Sequence, residues 1–218
     1  MKALGKNPAT VERFGGIPVA EIYDQMNEKT KEKIQSVFLH LLKERHFNKI
    51  SVQHIAQAAG VNRGTFYLHY LDKFDLLDRM EASLLEGLEN HLHQLEPGPL
   101  LEEAEKGAVS FQAVEVFRYI RQHEEWFRVF LGKHNHSGFH RRLKDFFVRH
   151  FTDKMLANPD FFKAVTVPKD YLSAFATSAF LGLIEQWLAN DLAESPADMA
   201  DMYIRIIFFI RNLDGRQQ

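Results

Sequence analysis

Residues 62–70 read NRGTFYLHY, and at the ~100° per residue of an α-helix their side chains sort onto two faces. Phe66 and Tyr70 fall together beside Asn62 and form the side that packs inward. Opposite them lie Gly64 and Leu68, flanked by Arg63 and Tyr67 on one edge and by Thr65 and His69 on the other. A merely solvated face would carry Lys and Glu. This one has no acid, a residue without a side chain, an outward Leu, and four side chains able to donate hydrogen bonds. The combination suits a DNA groove. Gly64 lets the backbone approach base edges, Arg63 can fork onto guanine, and Leu68 can touch thymine methyls. Thr65, Tyr67, His69 and Lys73 offer donors to phosphate oxygens, contacts that position a helix without reading sequence. Backbone N–H groups at Ser51 and Val52, the start of the preceding helix, suit one more phosphate. The competing reading is an αα-corner with no nucleic-acid partner.

Such a face needs a scaffold, and the flanking residues supply one. Ser51 is an N-cap for a short helix, VQHIAQAA, whose small alanines permit a close crossing. Gly60 takes the φ > 0 turn conformation, and Val61 plugs the core beneath. Before this pair, Ile34, Val37, Phe38, Leu41 and Leu42 line one face of a first helix beginning near residue 28. After it, Asp72 caps a fourth helix, with Asp75 at its third position, running to a break at Glu96-Pro97-Gly98-Pro99. Further helices are expected around 108–122, 124–132, 138–157, 168–190 and 196–213, the last opened by Ser195 with Pro196 at its first position. Residues 1–27, with Pro8, Gly15, Gly16 and Pro18, read as an extension holding one short helix in PVAEIYDQM. The fold class expected is all-α, with about nine helices.

The segment from about 30 to 77, centred on ISVQHIAQAAGVNRGTFYLHYLDKFDLL, closely resembles the DNA-binding domain of the TetR/AcrR family of bacterial transcriptional regulators. The I-A-x-x-A-G-V turn, the G-T-F-Y-x-H-Y helix and the D-K-F-D-L-L start of the fourth helix stand at that family's spacing. The resemblance implies base-facing roles for Arg63, Gly64 and Leu68, backbone-facing roles for Thr65, Tyr67, His69, Tyr70 and Lys73, and a cap at Ser51. Two positions depart from the family pattern: His46 stands where Gly is frequent, and Leu68 is less polar than usual. The segments EWFRVFLGKHNHSGFHRRL and FLGLIEQWLANDLAESPADMA also resemble the C-terminal region of one subgroup. The implied domains are an extension at 1–27, the helix-turn-helix at 28–74, and a ligand-responsive, dimerising unit at 75–218. The implied function is a repressor released from operator DNA by a small molecule; activation and zinc response are alternatives, and a helical protein-interaction module is the alternative of another class.

Composition agrees with that division. The formal charge is −2, but residues 28–80 hold nine Lys or Arg against six Asp or Glu, so a basic segment sits on an acidic body. Cysteine is absent, which removes disulfides, thiolate metal sites and a cysteine nucleophile. No G-x-S-x-G, P-loop, H-E-x-x-H or glycine-rich βα turn occurs, so nothing argues for an enzyme, and no cofactor is expected. The most apolar stretch, FATSAFLGLIEQWL, is interrupted by polar residues and too short to span a bilayer. A cytoplasmic protein without membrane contact is the expectation.

In the C-terminal part the last two helices are the candidate homodimer surface. Ala174, Ala176, Ser178, Ala179 and Gly182 permit close crossing, and Ile204, Ile206, Ile207, Phe208, Phe209 and Ile210 add apolar surface, although a central core helix would look the same. For the unknown effector, His123, Trp126, Phe127, Tyr171 and Trp187 are the candidate contacts, His123 interrupting an apolar stripe of Val116, Ile120, Phe127 and Phe130. The opposing reading makes His123 the break between two helices and the aromatics core. His134, His136 and His140 invite a metal reading, but Ser137 caps a helix between them and no carboxylate pair completes a site, so no metal ligand is assigned.

Overall fold

The structure, a computed structural model, describes residues 13–14, 17–132, 138–155 and 167–213. Among the described residues, ten α-helices follow a minimal antiparallel hairpin in which β1 (Arg13–Phe14) pairs with β2 (Ile17–Pro18). The N-terminal segment is held by α1 (Val19–Glu44), α2 (Val52–Ala58), α3 (Arg63–His69) and α4 (Lys73–Leu92). The body adds α5 (Pro97–Glu105), α6 (Phe111–Gln122), α7 (Glu124–Phe130), α8 (Phe139–His150), α9 (Lys169–Ala189) and α10 (Pro196–Leu213).

Two expectations change. The short helix expected near PVAEIYDQM is not separate: Pro18 stands just outside it, and α1 runs unbroken from Val19 through residue 28. The prolines at 97–99 do not end structure but begin α5, because a proline in the first helical turn lacks an N–H that would be unpaired there anyway.

Local chemistry explains the ends of the N-terminal helices. Ser51 and His54 cap α2 reciprocally, Ser51 Oγ accepting from the His54 amide and His54 Nδ1 from the Ser51 amide. Gly60 has φ +62°, and the Val61 amide returns to the Ala56 carbonyl at 3.0 Å, closing the turn. Asn62 Oδ1 accepts from the Thr65 amide at 2.7 Å, and Asp72 Oδ1 accepts from the amides of Phe74 and Asp75 at 2.8 Å each. Between them Ile34 and Phe38 of α1, Ile55 of α2 and its C-cap Ala59, and Phe66 of α3 are fully buried. Each buried large side chain contributes roughly 1.5–3 kcal/mol of transfer free energy, enough in sum to hold helices of seven residues that would not persist alone.

α4 leads from this segment into the body, burying Leu84, Leu88 and Leu92 against a core of α6, α8, α9 and α10 that includes Phe117, Phe147, Ile184 and Trp187. Lys43 of α1 and Glu125 of α7 form an ion pair across the junction. Among the described residues α9 is the helix long and apolar enough to cross a membrane by length and composition, with half of that stretch buried inside the fold. Its apolar residues are spread around the helix rather than gathered on one face.

Candidate nucleic-acid interface

α3 presents the outward face expected of it. Leu68 is 82% exposed, Tyr67, Arg63 and Gly64 are exposed, Thr65 and His69 are half-buried, and Phe66 is buried. Arg63 Nη2 donates to the Tyr67 hydroxyl at 3.2 Å, and its guanidinium stands 5.9 Å from that ring. The two side chains are therefore pre-arranged as a unit, which lowers the entropy lost when either meets DNA. Thr65 Oγ1 donates to Asn62 Oδ1 at 3.2 Å, leaving its lone pairs outward. Burial holds His69 below the ordinary imidazole range and Lys31 adds to the effect, so at neutral pH its ring is an uncharged hydrogen-bonding group. A Cβ at Gly64 would stand 3.1 Å from the capping Asn62 Oδ1, so this glycine serves the cap as well as close approach.

Three site residues differ from expectation. Tyr70, expected toward the DNA backbone, is 3% exposed, and its hydroxyl accepts from Gln35 Nε2 at 3.2 Å; it is a core residue that ties α3 to α1. Lys73, expected to reach a phosphate, turns back. Its ammonium donates to the carbonyls of Phe47 and Ile50 at 2.9 and 2.7 Å and sits 4.4 Å from the Phe47 ring, which satisfies the 3-10 turn Phe47–Lys49. Ser51 spends its amide and hydroxyl on His54, so its own contribution is the cap that orders α2; Val52, the first residue of α2, is half-buried. Lys73→Met is accordingly expected to cost about 1–3 kcal/mol of stability by leaving two carbonyls unpaired, read as a lower denaturant midpoint; unchanged stability with weaker DNA binding would restore the phosphate assignment.

Leu71, 77% exposed and just beyond α3, extends the apolar part of this face beside Leu68. Sequence reasoning passed over it, because a leucine in a turn cannot be told from a core residue by type, and its only signal is its place three residues after Leu68.

In the body a cavity enclosing about 550 Å³, open solvent included, lies between α4, α5, α6, α8, α9 and α10. Its walls are apolar, with Phe117, Phe147 and Phe180 prominent, and His150, Thr177 and Tyr203 as polar members. None of the expected effector contacts lines it. His123 is the break between α6 and α7, its Nδ1 3.0 Å from the Tyr119 carbonyl oxygen and its ring stacked on Tyr119. Phe127 is fully buried, Trp126 packs edge-on against His123 and Phe130, Trp187 is buried and donates to the Glu194 carbonyl, and Tyr171 is 73% exposed on α9. His134 and His136 lie outside the described residues; His140 pairs with Glu185, and no three metal-ligating side chains cluster among the described residues.

A capped helix pair whose second helix is exposed, set on a separate helical body, defines a helix-turn-helix protein. Two family models match the chain: bacterial regulatory proteins of the tetR family over residues 39–80, and a transcriptional regulator C-terminal region over residues 110–208. The chain is 27% identical over 171 residues to an uncharacterized HTH-type transcriptional regulator, YxbF, of Bacillus subtilis (strain 168); that stretch is 78% of this chain and 43% of the relative, so the chain spans less than half of its length. Its fold is similar to that of a TetR transcriptional regulator from Streptococcus agalactiae 2603V (TM-score 0.56, 24% identity, 86% of this chain and 98% of that one). It is also similar in fold to NalD, the secondary repressor of the MexAB-OprM multidrug efflux pump in Pseudomonas aeruginosa (TM-score 0.54, 20% identity, 85% and 96%). The chain belongs to the TetR family of bacterial transcriptional regulators.

Proposed function

We propose that the protein is a homodimeric, cytoplasmic repressor that binds operator DNA through residues 28–74 and is released when a small molecule enters the unit at 75–218. It is a DNA-binding regulator and not an enzyme, in keeping with its family. One observation carries the reading: the outward face of α3 is exposed, free of acids, and presented by a helix that Asn62 caps at its start and that runs directly into the Asp72-capped α4. Arg63 and Gly64 meet base edges, Leu68 and Leu71 meet thymine methyls or the sugar edge, and Thr65, Tyr67 and His69 meet phosphates. A gel shift with the DNA flanking its own gene tests this. Salt-sensitive, sequence-selective binding is expected, and its absence sinks the proposal. Arg63→Ala should cost ~1–3 kcal/mol and relax preference at one base-pair position; an equal loss on every DNA would move Arg63 to the phosphates.

The dimer reading rests on α9 and α10. Tyr171, Ala174, Phe175, Ser178 and Gly182 form one exposed stripe of α9, continued by Met202 of α10, whereas Ala176 is spent inside the core and Ile204 likewise. A Cβ at Gly182 would meet nothing within 4 Å, so the chain itself does not require glycine there; a second copy packed closely would. Gly182→Arg is expected to leave the monomer folded, even favoured by about 0.5–1 kcal/mol of helix propensity, while splitting the dimer, as light scattering would read. A dimer that survives the substitution places the interface elsewhere. Two-fold pairing would set the two α3 helices about one DNA turn apart, ~34 Å, on a near-palindromic operator.

A further inference from the structure

The body cavity has an uneven chemistry. Its walls carry no Lys, Arg, Asp or Glu, and five rings contribute to them: Phe117, Phe147, Phe151, Phe180 and Tyr203. Phe180 stands at the centre of that cluster, 4.7 Å from the Phe147 ring, 4.8 Å from Tyr203 and 5.6 Å from Phe117. Within this apolar lining two polar atoms are buried with no hydrogen-bond partner, His150 Nε2 at the end of α8 and Thr177 Oγ1 on α9. Thr177 is 2% exposed. A buried donor or acceptor left unpaired is costly, so two of them facing one cavity call for a shared partner inside it. The helix carrying His150 widens into a π turn at Phe151–Met155, and there Thr152 is already engaged with the Ser173 hydroxyl at 2.7 Å. His150 and Thr177 are what remains.

We infer that this cavity takes an uncharged, chiefly hydrocarbon molecule carrying a single hydroxyl or carbonyl oxygen, held between His150 Nε2 and Thr177 Oγ1. The inference rests on the small-molecule-responsive reading given above and narrows it to a ligand class. A ligand hydroxyl donates to the imidazole nitrogen and accepts from the threonine hydroxyl; a carbonyl accepts from both, with the imidazole in its other tautomer. A carboxylate is disfavoured. No cation lines the walls, and burial, aided by nearby His93 and Lys154 against Glu89 and Asp153, keeps the His150 imidazole neutral, with a pKa of about 4. The aromatic walls favour a ligand with a ring of its own.

The test uses three probes sharing one body, propylphenol, propylbenzene and propylbenzoate, titrated calorimetrically into the DNA-free protein and into its complex with operator DNA. The phenol is expected to bind about ten- to a hundredfold more tightly than either analogue. Thr177→Val, which keeps the shape, and His150→Leu should each reduce the phenol to the level of propylbenzene while leaving propylbenzene unchanged, which shows that the cavity is still formed. Propylbenzoate binding as well as the phenol overturns the inference. So does a phenol preference that persists in both variants, or equal binding of propylbenzene and propylphenol, which would mean that water keeps the two polar atoms. If the phenol binds as described but operator affinity is the same with and without it, the ligand chemistry stands and the release mechanism falls.

Discussion

Gly87→Ala is expected to destabilise the protein by about 2–4 kcal/mol, although it adds one methyl group to a helix interior, where alanine is ordinarily the better residue by about 1 kcal/mol. The reason is Tyr119. A Cβ at Gly87 would clash with the Tyr119 hydroxyl and lie 2.6 and 2.8 Å from its Cζ and Cε2 atoms. Tyr119 cannot swing aside cheaply. It is buried, its hydroxyl donates to the Leu84 carbonyl of the same α4 helix at 3.0 Å, and its ring is wedged between His91 and His123 at 5.2 and 4.2 Å. Burial raises its pKa to about 12, so the hydroxyl stays protonated as a donor throughout the working range. The methyl group therefore breaks a buried hydrogen bond and moves a ring that locks α6 onto α4. Denaturant unfolding should show a lower midpoint at unchanged slope, and Tyr119→Leu should recover part of the loss in the double variant, the coupling expected of groups in contact. A midpoint equal to the parent's would mean that α4 and α6 part more easily than their packing implies.

How much of this was legible beforehand depended on how local the cause is. The ends of α2, α3 and α4 could be read because their causes lie within three residues: Ser51 with His54, Asn62 with Thr65, Asp72 with Asp75, and the left-handed turn at Gly60. The outward face of α3 could be read because a helical period suffices for it. Lys73 could not, since a lysine beside a recognition helix reaches either a phosphate or a pair of carbonyls more than twenty residues back, and only the fold decides between them. The same holds for the cavity, where His150 and Thr177 converge from different helices with no shared period. Aromatic type alone was a poor guide there: Trp187 and Phe127 are buried in packing, Tyr171 faces outward, and Phe117, Phe147 and Tyr203 line the space. Glu81 was readable in principle. It lies four residues after Leu77 and three before Leu84, on the buried side of α4, which is an unusual place for a carboxylate.

That carboxylate carries the largest expected effect. Glu81 is 1% exposed and is paired with the Arg142 guanidinium of α8, which also stands 3.9 Å from Asp78. Arg142→Met removes that cation from a buried carboxylate, and a buried pair that loses one member costs about 3–5 kcal/mol. The double variant Glu81→Leu, Arg142→Met should regain most of the lost stability, read as a denaturant midpoint close to the parent's. The functional consequence follows from position. α4 begins beside the DNA-facing face and ends in the cavity wall at Leu92, while α8 holds Arg142 eight residues, about 12 Å, before His150. The ion pair is a direct tie from α8 to the middle of α4, so under the ligand reading proposed above a molecule seated against His150 would act on α4 through it. In the double variant operator binding should survive while the ratio of operator affinities without and with propylphenol moves toward one, because coupling between two sites is set by the element both of them bias. A single variant Arg142→Met that melts with the parent protein would show that the ion pair contributes little to stability, and a double variant with unchanged coupling would show that it does not link the two sites.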